Sequence, residues 1–384
     1  MIKKESSFGA KVLTNSFKIG AIYGIDIEIN STWLIVFFLV TFSLVSYFPA
    51  AYPELPTWVG VTDGLITSIL FFLSVLFHEL SHSIVAKRNN LDIKRITLFV
   101  FGGVAQMSDE PSSPGVEFKM AVAGPAASYF LALLFAGLFL LSSATGLGLG
   151  ITAPFQYLAL INFALGTFNL IPGFPLDGGR ILRAGLWSYH RNLAKATQMA
   201  ARCGQFFAFG LVFLGILLFF RGDFLGGIWL IFLGWFLNQA ATSGYQQTFL
   251  RQALLGVKVE EIMSRNILLA PANLTLTQLV DDYFLRYKVG RFPIIENGQL
   301  LGIVTLHDVK EVPRERWETT FVQDVLRPLK EYDFISPEED VMAAFKKLAQ
   351  HELGQLLVFN EGKLVGIVTK SDILRLAKFK RELA

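Results

Sequence analysis

Long apolar runs separated by short polar connections fill the first two thirds of the chain, and then the pattern stops. The runs fall at about 31–49, 64–86, 116–142, 152–172, 197–220 and 224–242. Each is long enough to cross a bilayer, since a helix of about 20 apolar residues spans the hydrocarbon core. After about Gln246 the character changes: residues 251–384 mix Lys, Arg, Asp and Glu with short alternating apolar stretches bounded by turns. Such alternation is the strand signal of a soluble domain. The pattern therefore predicts a polytopic α-helical membrane protein with six transmembrane helices over 1–246 and a connection at 247–256. A soluble α/β module follows, in two units at 257–312 and 321–380.

Positive charge sets the predicted orientation, because cytoplasmic loops carry an excess of Lys and Arg. Connections 50–63 and 143–151 contain neither residue, and the one between the last two spans holds only Arg221. The opposite side carries Lys3, Lys4, Lys11 and Lys18, then Lys87, Arg88, Lys94 and Arg95, then Arg180, Arg183, Arg191 and Lys195. The reading is a multi-pass cell-membrane protein with both termini cytoplasmic and no cleaved secretory signal. Composition agrees: of 384 residues, 53% are hydrophobic and only 17% charged, against about 25% charged in soluble domains. A net charge of +3 gives no argument for a nucleic-acid partner, and the single cysteine, Cys203, excludes an internal disulfide framework. Among the few ionisable residues near the spans, Glu117, Lys119 and Arg202 are expected at cytoplasmic ends, in reach of water.

The second span reads Leu76-Phe77-His78-Glu79-Leu80-Ser81-His82-Ser83. Histidines four apart on a helix share one face and can hold one metal ion, with Glu79 placed as general base for a metal-bound water. A catalytic zinc usually takes three protein ligands, so a third must come from elsewhere at the same depth. The stretch Asn169 to Arg180, at the cytoplasmic end of the fourth span, contains one carboxylate, Asp177, and Pro172, Gly173 and Pro175 break the helix just before it. An ordinary interfacial Asp that starts the next helix is the alternative. His190, His307 and His351 are poorer candidates, the first in a basic loop and the others in the soluble half.

These motifs, with Ala123-Gly124-Pro125 opening the third span and Asn169-x-x-Pro172-x-x-Pro175-x-Asp177-Gly178 ending the fourth, resemble the site-2 protease family of intramembrane zinc metalloproteases. The resemblance covers about residues 20–245. It implies one Zn²⁺ held by His78, His82 and Asp177, Glu79 as base, and Asn169 beside the substrate. It also implies substrates that are transmembrane proteins within the lipid bilayer. A helical substrate must unwind before its carbonyls can be attacked. The β-rich segment Ile93–Met107, with Gly102 and Gly103, offers a strand edge for the unwound stretch and resembles the family's membrane-associated β element.

The soluble half contains a repeat. Gly298-Gln-Leu-Leu-Gly-Ile-Val-Thr-Leu-His-Asp308 aligns without gaps on Gly362-Lys-Leu-Val-Gly-Ile-Val-Thr-Lys-Ser-Asp372. Helices are predicted ahead of the copies, at Leu276–Tyr287 and Val341–Gln350. The paired units resemble a tandem CBS domain, which implies clefts for an adenine nucleotide such as ATP or AMP and a homodimer surface. Thr305 with Asp308, and Thr369 with Asp372, match the family's phosphate- and ribose-contacting positions; Thr and Asp there are also good helix caps. Pro293 stands where the second copy has Leu357, so the two clefts need not be equivalent. The leading reading is an intramembrane zinc endopeptidase tuned by its CBS pair. The alternative is a CBS-regulated transporter or channel that uses His78, Glu79, His82 and Asp177 as an ion path; an inactive scaffold is a third and weaker option.

Overall fold

The computed structural model describes residues 16–99, 102–107, 110–351 and 353–382. Lys3, Lys4 and Lys11, and positions 100 and 101 of the β-rich segment, lie outside them. The chain divides into two compact units, Met1–Gln246 and Gln247–Ala384.

Among the described residues, six helices are long and apolar enough to span a membrane. They are α1 (Ser31–Ala51), α2 (Thr57–Arg88), α3 (Pro114–Ala144), α4 (Leu149–Asn169), α6 (Leu193–Phe220) and α7 (Phe224–Leu254), and a shorter helix, α5 (Asp177–His190), lies between α4 and α6. Their starts are chemically marked: Asn30 accepts from the Thr32 N–H, Ser113 from that of Val116, and Asn192 from that of Lys195. Each cap satisfies an amide that the first turn leaves without an intrahelical partner. Outward-facing Phe42, Leu133, Phe206 and Phe220 are at least 75% exposed. Such a surface suits lipid, which asks for apolar side chains and internally bonded backbone.

Inside the bundle, glycines let backbones approach. A Cβ on Gly64 would lie 2.6 Å from the Val45 backbone, and one on Gly215 would lie 2.7 Å from the Gly227 carbonyl. Close approach through small residues is how helices gain packing contacts when lipid offers no hydrophobic drive between them.

Before α1 stands an element that the span pattern missed. Strands β1 (Ser16–Ile22) and β2 (Ile25–Asn30) form a hairpin, and β3 (Ile93–Phe99) and β4 (Gly102–Met107) extend it to a sheet of order β1-β2-β3-β4. β2 runs parallel to β3, and β4 forms an edge. Glu28 fastens the sheet, accepting from Arg95 at 2.8 Å and from Ser16 at 2.8 Å. Both turn residues, Tyr23 and Gly24, have positive φ, which suits the twist of a two-residue hairpin.

One sequence expectation fails here. Glu117, in the first turn of α3, does not reach water: it is fully buried, and its Oε1 accepts from Arg183 Nε at 2.6 Å and also from Arg183 Nη2. Arg183, on α5, is 6% exposed. Desolvating the carboxylate is offset by a charge-assisted pair rather than by solvent. Lys119 and Arg202 are exposed.

The soluble unit has duplicated geometry. Strands β6 (Arg291–Glu296) and β7 (Gln299–Thr305) form one hairpin, β9 (Gln355–Asn360) and β10 (Lys363–Thr369) the other. Short parallel strands β5 (Ala270–Pro271) and β8 (Phe334–Ile335) complete the two sheets. The turn residues Asn297-Gly298 and Glu361-Gly362 all have positive φ. The helix over 276–287 contains a π-helical stretch, Leu279–Leu285, and its counterpart α8 (Val341–Gln350) is regular.

The copies interlock. Arg327 exchanges backbone hydrogen bonds with Ile303 in the first hairpin, and Ser264 does the same with Ile367 in the second. Arg291 donates to the Gln355 carbonyl, Gln355 donates back to that of Arg291, and fully buried Asp333 accepts from Arg291 and, at 3.4 Å, from Arg327. Gly302 and Gly366 lie where the crossing segments pass: a Cβ on Gly302 would come 2.6 Å from the Arg327 carbonyl oxygen. Gly302→Val should therefore destabilise the soluble unit by about 1–3 kcal/mol, the usual cost of overpacking, seen as a lower denaturation midpoint of the full chain. Asp333→Ala should cost about 3–5 kcal/mol in the same measurement, because two guanidinium groups lose a buried counter-charge.

Candidate active site

The buried polar positions of α2 follow helical spacing. Asp63, Thr67, Ser74, His78 and His82 are all at most 7% exposed and share one face of a helix that is otherwise apolar. In a membrane such residues are costly and mark function. At the C-terminal end of this stripe, His78 Nε2 and His82 Nε2 stand 3.2 Å apart.

Asp177 reaches them from another helix. Its Oδ2 lies 3.1 Å from each Nε2. The approach depends on the loop from Leu170 to Leu176, which includes a cis Phe174–Pro175 peptide, folding tightly between α4 and α5. Side chains would block it: a Cβ on Gly178 would collide with the Leu170 and Ile171 carbonyls, and one on Gly179 or Gly204 with the Phe174 backbone. Asp177 is the first residue of α5, so the helix-starting aspartate and the one that meets the two histidines are the same residue.

The other ring nitrogens fix the imidazoles. His82 Nδ1 is 2.6 Å from the Met120 carbonyl oxygen, an acceptor only, so Nδ1 carries the proton and Nε2 presents a lone pair. His78 Nδ1 meets the Ser128 hydroxyl at 2.8 Å. With both Nε2 atoms unprotonated, as metal ligation requires, the two nitrogens and the carboxylate oxygen would repel unless a cation lay between them. In tetrahedral zinc sites, bonds of about 2.0–2.2 Å put neighbouring ligand atoms roughly 3.3 Å apart, close to the spacing here. The donor set fits zinc, and it is the one such cluster among the described residues.

Glu79 projects beside this cluster, accepting a hydrogen bond from the Gly103 backbone N–H. A Cβ on Gly103 would lie 2.5 Å from Glu79 Cγ, so edge strand β4 runs directly against the carboxylate. Gly102, with φ of +119°, begins that strand, and a Cβ there would meet none of the described residues within 4 Å. Gly124, of Ala123-Gly124-Pro125, sits so close to both Nε2 atoms that any side chain there would fill the site.

Other sequence candidates fall differently. The Asn169 amide donates to the Leu165 carbonyl of its own helix at 3.0 Å rather than to the cluster. His190 packs on Tyr189, His307 pairs with Glu311 at 3.4 Å on the surface, and His351 stacks on Tyr332. Thr305 and Asp308 form a capping box on the following helix, and Thr369 bonds Asp372 in the same way. These side chains are thus engaged in capping. Residues missed by sequence reasoning include Ser128, which orients His78, and Asn162, a buried amide that donates to Ser74 one turn before His78. The signal for Asn162 was available: it is an amide in the middle of an apolar span.

The model of peptidase family M50 matches residues 66–148 and 144–211, and the CBS domain model matches 259–315 and 322–378. The chain is 33% identical over 372 residues to a Synechocystis protein named zinc metalloprotease sll0528, covering 96% of this chain and 97% of that one. It is 30% identical over 376 residues to zinc metalloprotease MJ0392 of Methanocaldococcus jannaschii, covering 96% and 98%. A solved site-2 protease from the same archaeon aligns at 33% identity with a TM-score of 0.40, covering 59% of this chain and 94% of that one. Similarity to these two relatives runs through both the membrane helices and the soluble pair, and neither name describes a transporter. The chain accordingly belongs to peptidase family M50, the site-2 proteases, as a multi-pass membrane zinc metalloprotease with a C-terminal pair of CBS domains.

Proposed function

We propose that this protein hydrolyses peptide bonds in or near transmembrane segments of membrane-protein substrates, with His78, His82 and Asp177 holding Zn²⁺ and Glu79 acting as the base. The observation that carries this reading is the meeting of two Nε2 atoms and one carboxylate oxygen at 3.1–3.2 Å, on buried faces of the bundle, with a second carboxylate alongside. Bound zinc polarises the scissile carbonyl and lowers the pKa of water. Glu79 takes a proton from the attacking water and returns it to the leaving amine. Edge strand β4 pairs with the unwound substrate as an added strand, which brings the scissile peptide past Gly103 to Glu79. Asn169, one loop away from Asp177, keeps a subsidiary substrate role in this reading.

The charge distribution supports cytoplasmic N- and C-termini, which places the site toward the cytoplasm, where water is available. The CBS pair supports modulation by an adenine nucleotide of the ATP or AMP type at Thr305/Asp308 and Thr369/Asp372, and offers a surface for a homodimer. A threonine and an aspartate that already cap one another bind a ribose or phosphate only by exchanging part of that bonding, so the affinity should respond strongly to either side chain.

Glu79→Gln should retain stoichiometric zinc while cleavage of a model transmembrane substrate falls at least about 100-fold, the usual range for a general base. Zinc content by atomic absorption and product by gel check this, and full cleavage by the variant would sink the assignment. His78→Ala and Asp177→Asn should instead lose zinc on dialysis. Gly103→Val should abolish cleavage with zinc retained, since its side chain would displace Glu79. Adding ATP or AMP to the full chain should shift its thermal midpoint and its cleavage rate, and Asp308→Ala with Asp372→Ala should remove both responses.

A further inference from the structure

The histidines and Asp177 are held by different helices, and one ion pair joins the helices that hold them. α3 keeps the imidazoles in place. The Met120 carbonyl meets His82 Nδ1 at 2.6 Å, the Ser128 hydroxyl meets His78 Nδ1 at 2.8 Å, and Gly124 lies against both Nε2 atoms. Glu117 belongs to the same buried face of α3, one turn before Met120. α5 carries the carboxylate at its first residue, and Arg183 stands further along that helix. Arg183 Nε donates to Glu117 Oε1 at 2.6 Å, and Nη2 donates to the same oxygen. The guanidinium also lies over the Phe174 ring, 5.3 Å from its centroid, in the loop three residues before Asp177. Arg183 therefore grips α3 on one side and the approach to Asp177 on the other.

As a stability device this pair is poorly made. Glu117 is fully buried, Arg183 is 6% exposed, and Glu117 Oε2 accepts a hydrogen bond from none of the described residues. Arg180 Nε stands 4.0 Å from Oε1, beyond hydrogen-bond reach. The desolvation of two charges is offset only when the remaining lone pairs are satisfied, so apolar side chains of similar volume would hold the helices together as well or better. Apolar packing does not supply a fixed direction and distance, and a charge-assisted hydrogen bond does. We infer that Glu117 and Arg183 are positioning residues for the metal site: their pair sets the register of α5 against α3, and with it the distance from Asp177 Oδ2 to the two Nε2 atoms. The inference rests on His78, His82 and Asp177 being the ligands. Site groups must stand within about 0.5 Å of the productive geometry, so a slip of α5 by far less than one turn weakens the site.

The test uses the full chain in detergent as wild type, Glu117→Leu with Arg183→Met, Arg183→Lys alone, and His78→Ala. Three quantities are read: zinc affinity by chelator competition, the visible absorption of the cobalt-loaded protein, and the thermal midpoint of the metal-free protein. The double variant should keep or raise the midpoint, yet lose about 10- to 100-fold in zinc affinity and show altered cobalt bands. Arg183→Lys, which keeps the charge but not the fork, should lose zinc affinity by a smaller factor. A pair that only stabilised the fold would move the midpoint and leave the cobalt bands as they are. Native zinc affinity with native cobalt bands in the double variant overturns the proposal, and the same result in Arg183→Lys overturns it if the double variant does not fold. His78→Ala that binds zinc as tightly as wild type would overturn the ligand assignment instead, so the two failures are told apart.

Discussion

Two helices that are far apart in sequence meet at three atoms, and the rest of the membrane unit is arranged around that meeting. Asp177 Oδ2 stands 3.1 Å from nitrogens on α2, a helix that ended almost 90 residues earlier at Arg88. As metal ligands the three atoms would present lone pairs to one another, which do not hold together by themselves. The backbone must therefore bring them together and keep them in place, and a cation must then make the arrangement favourable. The glycines at 173, 178, 179 and 204 bring the loop and helix starts into contact, and the buried Glu117–Arg183 pair ties α5 to α3 beside them. A pair of this kind gives little net stability compared with apolar packing, but losing one partner would strand a charge. Its value here is to fix where α5 begins.

Much of this was legible in the chain itself. The spacing of His78, Glu79 and His82 carries its own chemistry, because four residues make one helical face. Asp177 was legible as the one carboxylate at a helix break of matching depth. Span positions were legible because lipid imposes a length, although α2 begins seven residues before the predicted start and α4 ends at Asn169 rather than 172. Helix ends obey capping and packing, which hydropathy does not record.

What was illegible has physical causes too. Glu117 reads as an interfacial charge until its partner is seen on another helix, since nothing local distinguishes a solvated carboxylate from a paired one. The β1–β2 hairpin is too short and too mixed to stand out, and it gains meaning only by pairing with β3 across the sequence of two helices. Ser128 and the Met120 carbonyl are ordinary groups whose importance comes from a neighbour's tautomer. Thr305 and Asp308 illustrate the converse: a clear local signal that geometry explains first as a cap.

The crossing segments of the soluble unit have a consequence for how that unit can respond. Each copy lends the other a backbone segment, Ser264 to the second hairpin and Arg327 to the first. Neither copy is a closed body by itself, so the duplicated sequence does not mean two beads on a string. A cut between the copies would leave both with an open hydrogen-bonding edge, and a displacement of either hairpin is felt directly at the other's lent segment.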